Sequence, residues 1–341
     1  MNRDPHVLPL YSGDAWRTLS ALPQKFDIHG NDTNFRESWH AALGAARGGV
    51  FDLLQRTAVL ILKPETILSR RSGRCIEYMN QNDFLPVHAE IVQLTPSITR
   101  DIWRHQLNIA TLDRVHVSDI VNSQSESLMV FFADISSRLE MPASVRLGHL
   151  KGSANPAERG PGHLRDALNS PNRVLTMIHC PDEPSDIVRE LGVFFDRHSL
   201  PAVYRKMTQA VAYPNSDAIN ECIEKLHART PRVGLNVEDA LERVVYKAAQ
   251  KSTGTHHSTK MDEESPASIL TSMLRAAQQG RKLTWSEWKE SVEKVGISSA
   301  EWDSILIASE FIEHDTPDAD LYMDGKAYTE WLIGEGAMVA K

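Results

Sequence analysis

The chain has 341 residues, 41% of them hydrophobic and 24% charged, and a formal net charge of −8. That is an ordinary folded composition, long enough for two domains, and its acidic balance excludes a general nucleic-acid binder. No apolar run is long enough to span a bilayer, residues 1–10 lack the charged and apolar segments of a secretory leader, and the three cysteines have no CxxC spacing, so we expect a cytoplasmic protein without disulfides or a zinc site.

Taken in order, residues 1–33 carry Pro5, Pro9, Pro23 and a turn-like His29-Gly30-Asn31-Asp32, and predict an irregular arm. Residues 34–55 predict helix interrupted at Gly48-Gly49. Residues 57–63 are apolar on both faces, the mark of a central strand, and end in Lys63 and Pro64. A lysine at a strand exit must reach water or an anion. A helix is expected over 72–81, a strand over 84–94 and a helix from Thr95 through Trp103 to Leu107, while 108–125 carries no clear period. Residues 128–133 predict a third strand and 143–150 a helix, followed by a loop rich in Gly and Pro.

The fourth strand is expected in Arg173-Val174-Leu175-Thr176-Met177-Ile178-His179, stopped by Pro181. Ser185 then caps a helix with Ile187, Val188, Leu191, Phe194 and Phe195 on one face, and Glu190 at the edge of that face can lean toward the strand end. A carboxylate beside a histidine holds the imidazole in one tautomer and makes it nucleophilic. Taken alone, His179 reads first as a partly buried histidine with a surface glutamate nearby, Lys63 as a solubilising strand end and Arg165 as a surface arginine. The order of elements suits a four-stranded antiparallel sheet with helices over one side, an α+β fold of the ferredoxin-like, split βαβ type.

Beyond residue 196 the pattern turns helical, at 199–211, 216–228 and 236–250. Gly254 and His256-His257 lie in a polar stretch that predicts a solvated linker rather than a metal site. A helix follows at 266–279, another is opened by the capping box Thr284 and Glu287, and a third starts at Ser298 or Ser299. Residues 321–328 predict a hairpin with an Asp324-Gly325 turn, giving a mainly helical, winged-helix-like C-terminal domain. From residue 265 onward 13 acidic residues stand against 7 basic ones, so a protein contact is expected there and not DNA.

Several of these segments, in order, resemble the nucleoside diphosphate kinase family over about residues 56–196. Val59-Leu60-Ile61-Leu62-Lys63-Pro64-Glu65 looks like its first strand and nucleotide-binding lysine. Leu147-Gly148, Ala154-Asn155-Pro156-Ala157-Glu158 and Gly160-Pro161-Gly162-His163-Leu164-Arg165 look like its phosphate loop, and Met177-Ile178-His179 with Asp182 like its phosphohistidine signature. Glu190-Leu191-Gly192-Val193-Phe194-Phe195 resembles the helix that follows.

The resemblance implies a phosphotransferase in which His179 takes the γ-phosphate of a nucleoside triphosphate and passes it to a nucleoside diphosphate or a specialised acceptor, with Mg2+ on the phosphates. The alternative is a nucleotide-binding regulatory or scaffold protein. It further implies His179 as nucleophile, Glu190 as its orienter and Lys63 and Arg165 as phosphate cations. Arg146 substitutes for a family arginine whose place Ser144 takes, Arg114 supplies a further charge, and Trp103 corresponds to the aromatic residue that stacks on the base. Ala154, Thr176, Cys180 and Pro181 depart from the family pattern. A homo-oligomer is expected, and a protein partner for the C-terminal part. The organisation this gives is an N-terminal arm and helix (1–55), a kinase-like domain (56–196), a helical extension (197–250), a linker (251–264) and a C-terminal domain (265–341).

Overall fold

The computed structural model describes residues 13–46, 48–136, 140–212, 217–253, 265–323 and 326–339. The expected linker histidines His256 and His257, and the Asp324-Gly325 turn, lie outside the described residues.

Four strands form one antiparallel sheet in the order β2-β3-β1-β4: β1 (Thr57–Leu62), β2 (Phe84–Val92), β3 (Ser127–Asp134) and β4 (Ile178–His179). This is a ferredoxin-like sheet with flanking helices, followed by a C-terminal helical region. β1 and β3 are buried along their whole length, which explains the apolar runs 58–62 and 128–133 within them. β2 is an edge strand, where Pro86 is tolerated, and its register shifts between Pro86 and His88.

Helices cover both faces of the sheet rather than one, because successive side chains of a strand alternate and both sets here are apolar. Val59, Ile61, Met129 and Phe131 pack with Phe35 and Trp39 of helix Thr33–Ala45, with Ile187, Val188 and Leu191 of helix Pro184–Phe194, and with Tyr204 of helix Leu200–Ala212. Leu60, Leu62, Val130 and Phe132 pack on the other side with Cys75 and Met79 of helix Ser72–Gln81, Leu147 of helix Ala143–Lys151 and Ile223 of helix Asp217–Arg229.

Several local expectations are corrected. Part of the arm is helical, at Gly13–Arg17 and Gln24–Gly30, and buried Trp16 of the first helix and Leu19 in the turn after it join the first core. The unreadable stretch holds helix Leu112–Ser123, capped by Thr111. Helix Pro184–Phe194 is capped by Glu183 and Asp186 in a reciprocal box, not by Ser185, and the third C-terminal helix, Trp302–Phe311, begins after Glu301. The box of Thr284 and Glu287 is present. No strand flanks the expected hairpin among the described residues; its far side enters helix Ala327–Leu332.

The fourth strand is only two residues long, not seven. Asn172 Oδ1 accepts the backbone N–H groups of Val174 and Leu175 at 3.0 Å, which curls the chain off the sheet. Val174 and Leu175 then face Val117 and Val121 and the helices Val237–Thr253 and Trp302–Phe311, in a core those helices share with the sheet domain.

Candidate functional site

His179 is at the end of β4, paired with Ile61 of β1. The backbone that presents it is tightly specified. Met177 has φ +66, a region that side chains disfavour, and Ile178 N–H donates to Thr176 O at 2.8 Å, which together describe a γ-turn. Such a turn costs of the order of 1–3 kcal/mol and persists only where its surroundings hold it. Here Lys63 N–H donates to Met177 O at 3.0 Å, the Thr66 hydroxyl donates to the same oxygen, and Glu65 Oε1 accepts Met177 N–H at 2.9 Å. The short helix Pro64–Leu68 thus clamps the turn before the histidine.

Both ring nitrogens of His179 are engaged. Nε2 lies 2.8 Å from Glu190 Oε2, and the Trp103 indole N–H donates to Nδ1 at 3.1 Å with the two rings edge to face. An indole nitrogen can only donate, so Nδ1 must carry a lone pair and Nε2 the proton that Glu190 accepts. One tautomer satisfies both partners. The imidazole is therefore a neutral base with its nucleophilic pair on Nδ1, covered by Trp103. Cys180 beside it is a protonated thiol, since burial pushes it up to about 11.

A cavity of about 200 Å3 lies against His179, walled by Lys63, Trp103, Arg114, Arg165, Arg173 and Thr176. Lys63 is buried, and its ammonium donates to Thr176 Oγ1 (3.1 Å) and Val174 O (3.3 Å) and pairs with Glu65 Oε1 (2.9 Å). Arg165 donates to three backbone carbonyls, Gly152 O at 2.8 Å and Thr176 O and Ile178 O at 3.3 Å. Burial pulls its guanidinium down to about 10, and among the described residues no carboxylate pairs with it. Its charge is available to an anion.

A second cavity of about 170 Å3 flanks the Glu190 side, lined by Lys151, Arg165, Cys180, Asp182 and Arg189. Asp182 there takes a bond from Lys151 Nζ at 3.0 Å. Burial works against its charge, but Lys151 and Lys25 outweigh that and hold it at about 2.

Of the residues singled out from sequence, His179, Glu190, Lys63, Arg165, Arg114 and Trp103 converge here. Arg146 does not. It donates to Asp134 Oδ2 (2.7 Å) and Asn82 O (2.8 Å) and covers the Phe84 ring. Asp134 is five residues along β3 from Met129, whose β1 partner Ile61 faces His179, a separation of about 17 Å. Trp103 meets His179 through its indole N–H, with the two rings edge to face.

Sequence reasoning missed Glu65, Arg173 and Asp315. Glu65 had a signal, being two residues after Lys63 across a proline. Arg173 precedes the strand without a pattern, and Asp315 belongs to the C-terminal region. Among the described residues no group of three or more His, Cys, Asp or Glu converges to hold a metal, and no helix is long and apolar enough to cross a membrane.

Residues 55–200 match the family model "Nucleoside diphosphate kinase". The similar solved structures include the nucleoside diphosphate kinase family protein from Babesia bovis, 12% identical, with 42% of this chain and 90% of that chain covered and a TM-score of 0.34. No curated protein matches the chain.

Proposed function

For a chain whose residues 55–200 form a nucleoside diphosphate kinase family domain, with extra regions at both ends, we propose a phosphotransferase that works through phosphohistidine at His179 Nδ1. The observation that carries this reading is the tautomer: Glu190 on Nε2 leaves the lone pair on Nδ1, at the wall of a cavity lined by Lys63, Arg114 and Arg165. In the step, the Nδ1 pair attacks the γ-phosphorus of a nucleoside triphosphate. The bond to the β–γ bridging oxygen breaks, and the nucleoside diphosphate leaves with that electron pair. Glu190 stabilises the imidazolium that results, and the cations balance charge on the equatorial oxygens. Mg2+ arrives on the phosphates as part of the substrate. The return step to a nucleoside diphosphate or a specialised acceptor completes a ping-pong cycle.

Trp103 has to leave Nδ1 before the first step, so the described arrangement is a resting one. Incubation with γ-labelled ATP and Mg2+ should give an acid-labile label that His179→Ala abolishes. A chain that takes no label from any nucleoside triphosphate would sink the proposal. A second reading, a nucleotide-binding regulatory or scaffold protein, is favoured by the same Trp103 bond and by the pairing of Lys63 with Glu65. It expects nucleotide binding without label. Self-association and a protein partner for the C-terminal region belong to either reading.

A further inference from the structure

Two guanidiniums at the cavity share one carboxylate. Arg114, on helix Leu112–Ser123, donates to Asp315 Oδ1, and Arg173, on the approach to β4, pairs with Asp315 Oδ2. Asp315 comes from 201 residues further along than Arg114. It sits in the segment after helix Trp302–Phe311, which is strapped along the rim of the site. Thr111 N–H donates to His314 O (3.1 Å), Thr316 N–H to Ile109 O (2.7 Å) and the Thr111 hydroxyl to Glu313 O (2.6 Å), while Tyr322 stacks on His105 at 5.7 Å.

Three observations mark this as more than a surface ion pair. Both arginines line the cavity that His179 lines. Their charges are not balanced, since two cations meet one anion, and Arg173 Nε is buried without a hydrogen-bond partner. The cavity of about 200 Å3 is also at the small end for a ligand site, so a wall that moves would enlarge it. A group with more charge and more oxygens than a carboxylate fits two forked guanidiniums better.

We propose that Arg114 and Arg173 form a subsite for the phosphate end of a nucleotide, that Asp315 is its resting occupant, and that the incoming phosphates displace Asp315 and release the segment 312–323. This rests on the nucleotide reading above but not on phosphotransfer. Asp315 thereby sets the affinity of the site, and the C-terminal region senses its occupancy.

The test is made on the full chain carrying His179→Ala, which takes no label, so that binding is read without chemistry. The probe is Mg2+ with ADP bearing a fluorescent ribose tag, and inorganic tripolyphosphate serves as competitor. Asp315→Ala should tighten binding of both by about tenfold, because the competitor is gone and two cations are left unpaired. Arg173→Gln should weaken binding by a similar factor, and adding Asp315→Ala to it should recover only part of the loss. Hydrogen exchange over 312–323 should speed up when the probe binds. Asp315→Asn, which keeps the shape and loses the charge, should tighten binding if the alanine variant does not fold.

Folded Asp315 variants that bind equally or more weakly would overturn the proposal, as would exchange over 312–323 that does not change on binding. A wild-type chain that binds in this way and takes no label would instead remove the phosphotransfer reading and leave this one standing.

Discussion

His179 has each nitrogen assigned by a different neighbour, and the neighbours pull in opposite directions. The Glu190 carboxylate on Nε2 raises electron density in the ring, while the Trp103 N–H on Nδ1 withdraws it from the atom that would attack. A neutral hydrogen bond of this kind is worth about 0.5–1.5 kcal/mol, which corresponds to a rate factor of roughly 2–10. Trp103→Phe keeps the ring and removes the N–H. The initial rate of labelling from γ-labelled ATP should rise by that factor; an unchanged or slower rate in a folded variant would mean that the indole does not restrain the nucleophile. The ring itself still shields the imidazole from solvent, so Trp103→Ala would confound the measurement.

At the scale of elements, helix Pro184–Phe194 determines where Glu190 falls, and its seat on helix Thr33–Ala45 depends on Gly192. A Cβ at Gly192 would meet the backbone oxygen of Asn34 at 2.1 Å, with the carbonyl carbon at 2.7 Å. Alanine gains up to ~1 kcal/mol of intrinsic helix propensity over glycine, but forcing two backbones apart in a packed core costs about 1–3 kcal/mol or more. The clash wins because a backbone carbonyl cannot rotate away as a side chain can. Gly192→Ala should therefore lower stability by about 1–2 kcal/mol in urea unfolding, and it should slow labelling as well, because Glu190 moves with the helix. A stabilised variant would show that the two helices have slack.

Across the whole molecule, one buried network ties the N-terminal helices, the kinase-like region and the C-terminal end together. Lys25 Nζ pairs with Glu183 Oε2 at 2.9 Å and with Asp186, and Glu183 also accepts from Ser20 Oγ (2.6 Å), Ala21 N–H (2.7 Å) and Trp331 Nε1 (2.8 Å). Burial alone would pull the Lys25 ammonium down, but Asp186, Glu183 and Asp182 overcome it and hold the group well above its ordinary value. Removing one partner of a buried charge pair strands the others, at a cost of about 3–5 kcal/mol. Lys25→Met should lose stability of that order by denaturant titration, and a loss under 1 kcal/mol would mean that water reaches the carboxylates.

The sequence alone determined the sheet and the broad placement of the reactive groups. β1 and β3 hold continuous apolar runs because both of their faces are buried, and that is a local property. Glu190 falls near His179 because a strand end, a proline and a helical period fix the reach between them. Lys63 stood out at its strand exit, while Arg165, a surface arginine when taken alone, was legible only through the family resemblance. Tertiary structure decided the rest. β4 shrank to two residues because Asn172 draws the chain toward a core made with helices far along the sequence. Trp103 became a donor to Nδ1 through the turn that ends its helix. Arg146 went to Asp134 because its helix presents it to the other end of the sheet. Asp315 came to the arginines through packing of the C-terminal region. Periodicity records which face of an element is buried, but not which distant segment covers it, and the state of this site depends on that covering segment.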